Sequence, residues 1–158
     1  MAKVTIKQFR ARQFGQTPYG NLSALAFQLV TVAGGGASNA DSSAALAIGD
    51  VVDLGPLPAG MRLDDCQIIV SDAMSASVTA SLGFAYEDGV DSTAVPQDAA
   101  YFGTGLALSS AARLRANSSK ALKTPVKPAR LILTIAGAAN AEAAKIDVVV
   151  TGEMTGPK

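Results

Sequence analysis

Three places in the chain hold residues whose types could do chemistry. Glu87-Asp88-Gly89-Val90-Asp91 gathers three carboxylates around one glycine. Oxygen donors suit a divalent cation, yet a calcium loop spreads its ligands over about twelve residues and closes with a glutamate. That frame is missing. Asp88-Gly89 therefore reads as a tight hairpin turn, with an adventitious ion as the alternative. Asp64 and Asp65 are adjacent. Neighbours on a strand point to opposite faces, so this pair is not expected to share a substrate. Cys66 follows in an apolar stretch. The chain has no histidine to lower its pKa, so Cys66 reads as a buried structural thiol.

Other catalytic patterns fare no better. No serine sits in a Gly-x-Ser-x-Gly elbow, and there is no histidine to serve as its base. Gly34-Gly35-Gly36 continues as Ala-Ser rather than Gly-Lys-Ser/Thr, so it reads as a flexible turn and not a phosphate loop. A single cysteine excludes an internal disulfide framework and a cysteine zinc cluster. The expectation is a non-enzyme with no metal and no cofactor. Residues 87–98 are the one stretch where an acid–base pair could sit.

Charge carries more information. Formal net charge is zero, but it is arranged in blocks. Residues 1–12 hold Lys3, Lys7, Arg10 and Arg12 and no acid. Residues 41–98 hold ten acids and the single base Arg62. Residues 113–130 hold Arg113, Arg115, Lys120, Lys123, Lys127 and Arg130 and no acid. Opposed blocks favour surfaces complementary to a partner or to a second copy. On that reading the 113–130 cations form an inter-subunit block in a closed homo-oligomer, a trimer in preference to a dimer. The plainer alternative is that each charge is solvated or paired locally.

Residues 1–21 differ from the rest. They are basic, carry Phe9, Phe14 and Tyr19, and are broken by Gly15, Pro18 and Gly20. Only Val4 and Ile6 alternate as in a short strand. The segment reads as an extended arm ahead of a domain over 22–158. Lys3, Lys7, Phe9, Arg10, Arg12 and Phe14 are its candidate contacts with a protein partner, since aromatics and arginine dominate binding hot spots. Basic and aromatic residues also suit single-stranded nucleic acid. The neutral chain argues against that, so no nucleic-acid partner is expected.

The elements that must position these residues are strands. The chain has 158 residues, 49% hydrophobic and 16% charged, which excludes a disordered chain and a charged coiled coil. The uncharged stretch 13–40 contains Pro18, Asn21, Gln28 and five glycines and is no membrane span. The N-terminus has charges where a leader peptide needs its apolar core, so synthesis in a cytoplasm and no membrane partner are expected. Strands are expected over 24–32, 51–54, 63–70, 77–86, 129–135 and 146–151, and more weakly over 121–126. On 77–86, Val78, Ala80, Leu82, Phe84 and Tyr86 share one face. Short helices are expected over 106–116 and 138–145. Many short strands between Gly, Pro, Asn and Asp mean a sandwich or barrel.

One stretch has a further resemblance. Gly49-Asp50-Val51-Val52-Asp53-Leu54-Gly55-Pro56-Leu57-Pro58-Ala59-Gly60-Met61-Arg62, running on through Val70, resembles the head decoration (cement) proteins of tailed bacteriophages, a group that includes the cement protein of a Bordetella phage. The strand over 77–86, the segment Asp98-Ala99-Ala100-Tyr101-Phe102 and the closing stretch 146–152 are similar to that group as well. The likeness covers roughly residues 45–155. It implies an all-β jelly-roll sandwich on the outside of an icosahedral capsid. Its partners would be the major capsid protein and further copies of itself, which it would clamp together. The family brings no catalytic residues. The alternative is a carbohydrate- or host-surface-binding β-sandwich, such as a head fibre or attachment module. That class would favour exposed Trp and Tyr, whereas Trp is absent and Tyr occurs three times.

Overall fold

Residues 2–6 and 22–155 are described by the computed structural model. Among them are nine strands and no helix: β1 (Lys3–Thr5), β2 (Leu22–Thr31), β3 (Val51–Leu57), β4 (Met61–Asp72), β5 (Thr79–Tyr86), β6 (Asp98–Ala107), β7 (Ala112–Arg115), β8 (Ala129–Ala136) and β9 (Ala144–Met154). Period-two burial makes each of the long strands half-apolar. On β5, Ala80, Leu82, Phe84 and Tyr86 are all buried, as their alternation requires. Leu25, Phe27 and Leu29 on β2 and Ile146, Val148 and Val150 on β9 are buried in the same rhythm.

Two sheets result, ordered β1-β3-β8-β5-β6 and β2-β9-β4-β7. The antiparallel pairs β2/β9, β3/β8, β4/β7 and β5/β6 nest inside one another along the chain. A long hairpin folded over on itself gives this order: its two arms pair from the ends inward, and alternate pairs fall in opposite sheets. The fold is a jelly-roll β-sandwich. Strand β1 is an addition to that pattern, joined to the edge of β3 in parallel.

Several expectations are corrected. The stretch 106–116 is not helical. It ends β6 and forms β7, whose four residues pair with Gln67–Val70 of β4. Alanine, leucine and arginine favour a helix only weakly, and sheet pairing overrides them. Residues 138–145 hold no helix either; β9 begins at Ala144. The stretch 121–126 contributes one bridge, Leu63 with Lys123, instead of a strand. At Asp64 and Asp65 strict alternation is broken. A bulge between Leu63 and Asp65 shifts the register, and both aspartates stay half-buried while Leu63 and Cys66 point inward. The glycine turn is packed, not loose: Gly35 has φ +82°, and a Cβ there would lie 2.0 Å from the Asn140 carbonyl oxygen. Asp88-Gly89 does turn the chain, with the Gly89 N–H donating to the Tyr86 carbonyl, but β6 starts only at Asp98, so no tight hairpin forms.

Candidate interaction surface

The six cations of 113–130 are placed by β7, by the crossing that follows it, and by β8. Antiparallel pairing sets Arg113 against Ile69 and Arg115 against Gln67. Arg113 donates to Gln67 Oε1 at 2.8 Å, and Arg115 pairs with Asp65. The chain then runs from the edge of one sheet toward the other. Ala116 N–H donates to the Cys66 carbonyl, Asn117 N–H to that of Phe102, and Leu63 N–H to that of Lys123. Along this crossing Lys120 Nζ donates to both Asp98 oxygens at 2.8 and 2.7 Å. Lys123 donates to the Pro96 carbonyl at 2.7 Å, and Lys127 to Asp88 at 2.6 Å and the Val90 carbonyl at 2.6 Å. On β8, Arg130 Nε reaches Asp53 at 3.0 and 3.1 Å, and its Nη1 lies 3.6 Å from Glu87.

Every one of these cations thus meets a partner inside its own chain, and five of the six meet acids of the 41–98 block, Lys123 doing so 4.0 Å from Asp98. Local pairing, the plainer alternative read from the sequence, accounts for the charges as they stand in one copy. Asp98 shows the balance of forces. Burial pushes its pKa up, but the Lys120 hydrogen bonds, the Ala100 N–H and the nearby lysine charges outweigh that and hold it below the ordinary value. The Lys127 ammonium, followed by the Val90 N–H, lowers Asp88. Most of these pairs are exposed and contribute little singly. Asp53 differs, because its side chain is only 3% exposed and carries both Arg130 and Lys3.

Of the arm candidates, Lys3 lies in β1, with Nζ 3.3 Å from Asp53 Oδ2. Residues 3–5 are therefore part of the sandwich, not of a free arm, and Val4 and Ile6 are buried. Lys7, Phe9, Arg10, Arg12 and Phe14 lie outside the described residues. Three aspartates that the sequence did not single out hold this strand. Asp50 accepts the Ala2 N–H at 2.8 Å and the Ala47 N–H at 2.9 Å. Those two donors, in that order, lower its pKa. Asp41 Oδ1 accepts the Thr5 N–H at 2.9 Å. Asp53 takes the Lys3 ammonium. Alternation sets Asp53 opposite to the core residues Val52 and Leu54, an ordinary place for a charge, so the sequence pattern carries no sign of its burial.

Asn140 was also missed, since one Asn in a loop leaves no pattern. It is buried, and its amide donates to Thr31 Oγ1 at 3.2 Å and to the Glu142 carbonyl at 2.8 Å, while its oxygen accepts the Ser75 N–H at 3.0 Å. Cys66 is buried, as expected, and burial pushes its thiol up to about 12. Among the described residues no three His, Cys, Asp or Glu side chains group to hold a metal ion. The described aromatics, Phe27, Phe84, Tyr86, Tyr101 and Phe102, are all buried. Tyr101 packs edge-on against Phe84 and Phe102, and its hydroxyl donates to the Leu63 carbonyl at 2.8 Å. They tie the two sheets and offer no stacking platform. A shallow depression of about 260 Å³ lies between Gly103, Thr104, Asn117 and Lys120, lined by small polar groups.

Among solved structures, the chain is similar to a chain in the capsid of Ralstonia phage GP4. The TM-score is 0.67 at 16% identity, over 99% of this chain and 100% of that one. It is also similar to a chain in the acidic stable capsid structure of Helicobacter pylori bacteriophage KHP30, with a TM-score of 0.47 at 16% identity, over 82% of this chain and 86% of that one. The first likeness is one of fold: the two chains share the sandwich from end to end. No protein-family model and no curated protein matches the sequence.

Proposed function

We infer that the chain is a structural protein of a bacteriophage virion that sits on the outside of an icosahedral capsid and cements neighbouring major capsid protein subunits. The observation that carries this reading is the end-to-end agreement of the jelly roll with a chain of a phage capsid, with neither chain left over. The resemblance of residues 45–155 to decoration proteins supports the same role. Among the described residues every aromatic is buried, which counts against the carbohydrate-binding alternative, because stacking on a sugar needs an exposed ring. A cement protein acts by burying surface at subunit joints, on the order of 1,000 Å² each. The fixed spacing of sites on a shell then multiplies modest contacts into firm attachment. In this reading Lys3, Lys7, Phe9, Arg10, Arg12 and Phe14 are the contacts with the shell, and further copies of the chain are its neighbours there.

Particles assembled with and without the chain provide the test. The reading expects undecorated heads to bind purified protein in a fixed ratio to the capsid subunit. It also expects added density outside the shell, and a higher temperature of head disruption. Density on the inner face, or binding that never saturates, would overturn it.

A further inference from the structure

Strand β1 occupies a slot that grips an extended backbone from both sides. On one side is β3: Val51 N–H donates to the Ala2 carbonyl at 2.9 Å and Ile6 N–H donates to the Asp53 carbonyl at 3.1 Å. On the other is Asp41, whose N–H donates to the Thr5 carbonyl at 3.1 Å while its carboxylate accepts the Thr5 N–H. Ile6 also bridges to Ala40. Asp50 holds the Ala2 N–H at the entrance. Most of these bonds are to main chain, which is how a sheet edge takes up an added strand. Three side chains supply selectivity: Val4 and Ile6 are buried, and Lys3 meets the buried Asp53 carboxylate. The slot therefore selects a cation, an apolar residue, any residue and a second apolar residue in succession, which is Lys3-Val4-Thr5-Ile6.

We propose that this slot is a strand-exchange site, which takes up residues 2–6 of a second copy of the chain in place of its own. Fifteen residues, 7–21, join Ile6 to Leu22. That length of chain reaches up to about 50 Å. A folded chain of this size is roughly 40 Å across. The strand can thus reach the slot of an adjacent copy. Exchange needs no new surface, because the same bonds form in either arrangement. The balance is set by the effective concentration of the chain's own strand against that of its neighbours, about millimolar for a strand joined by a linker of this length. Protein at ~1 mM in solution reaches that range. The inference does not depend on the capsid reading and is tested without it.

The register places Lys3 opposite Val51. Two single variants, Lys3→Cys and Val51→Cys, each in a Cys66→Ala background and one carrying a mass tag, are unfolded, mixed, refolded together and oxidised. Their cysteines can meet in register only between chains. The expected result is a disulfide-linked heterodimer that rises roughly in proportion to protein concentration between ~10 µM and ~1 mM. It should fall at least tenfold when Val4→Asp is added to the Lys3→Cys chain. The double variant Lys3→Cys/Val51→Cys, oxidised when dilute, should close within one chain. Absence of heterodimer at ~1 mM overturns the proposal. So does heterodimer that persists undiminished with Val4→Asp, since that reports collision and not a seated strand.

Discussion

At the scale of single residues, burial decides what a substitution does. Leu82 and Ser81 are neighbours on β5, one fully buried and the other half-exposed. Leu82→Ala is expected to cost about 2–5 kcal/mol through the cavity it leaves, and Ser81→Ala to stay within about 0.5 kcal/mol. Denaturant melts of both variants check this, and equal costs would contradict the facing of β5. Asp50 gives a pH signature. Its folded pKa is lowered, so its stabilisation is fully present above the unfolded value of about 3.9 and is lost as pH falls through the folded one. Melting temperatures of wild type and Asp50→Asn should therefore converge as pH drops from 6 toward 2. A gap that stays constant would mean the Ala2 and Ala47 hydrogen bonds do not favour the ionised form. The core face of β5 was legible because strict alternation has few other causes. Asp50, Asp53 and Asn140 were not, because each owes its role to groups distant in sequence.

At the scale of elements, legibility followed regularity. The stretches 51–54, 63–70, 129–135 and 146–151 were found; 129–135 extends by one residue in the structure and the others by three to five. Strand β6 escaped notice as a strand. Its register shifts twice against β5, and Gly103 and Gly105 interrupt the apolar rhythm. Strand β7 escaped because it is a four-residue edge whose Ala and Leu are only partly buried. Within the segment 1–21, Lys3–Thr5 already pair in the sheet as β1, while residues 7–21 lie outside the described residues. Removing residues 1–6 is accordingly expected to destabilise the fold, not to leave it untouched. Loss of buried Val4 and Ile6, less the entropy regained, amounts to about 2–4 kcal/mol, or a Tm lower by about 5–15 °C. The transition should stay cooperative, because the nested pairs are complete without β1. Circular dichroism melts test both statements.

At the scale of the whole molecule, the charge blocks looked like halves of an interface between copies, and inside one copy they already face each other. Antiparallel pairing brings β7 beside β4 and β8 beside β3 and β5, so the late basic residues land on the early acidic ones. No sequence rule announces this, because it requires the strand order. These intrachain partners hold within one copy, and the proposed strand exchange adds a source of affinity between copies that does not draw on the six cations. Attachment through the cations of 1–12 is a different matter. Binding to heads should weaken as salt rises from 0.05 M to roughly 0.5 M, a range in which the Debye length passes below about 10 Å near ~0.1 M. Co-sedimentation across that range measures it, and binding indifferent to salt would assign attachment to apolar contacts instead.

The nesting of the strands also sets a timetable for the newborn chain. Strand β9 lies between β2 and β4 and is hydrogen-bonded to both. Gln28 and Asp147, bonded across β2 and β9, stand 119 positions apart. A ribosome adding about 5–20 residues per second needs several seconds or more to travel between them. Through that interval β2 and β4 have open edges, the condition under which strands pair with the wrong neighbour. A chain stopped at residue 143 should accordingly give no cooperative melt and should aggregate, while the full-length chain refolds on the millisecond-to-second scale of non-local β topologies. A cooperative transition in the truncated chain would mean that the roll can close without its last strand.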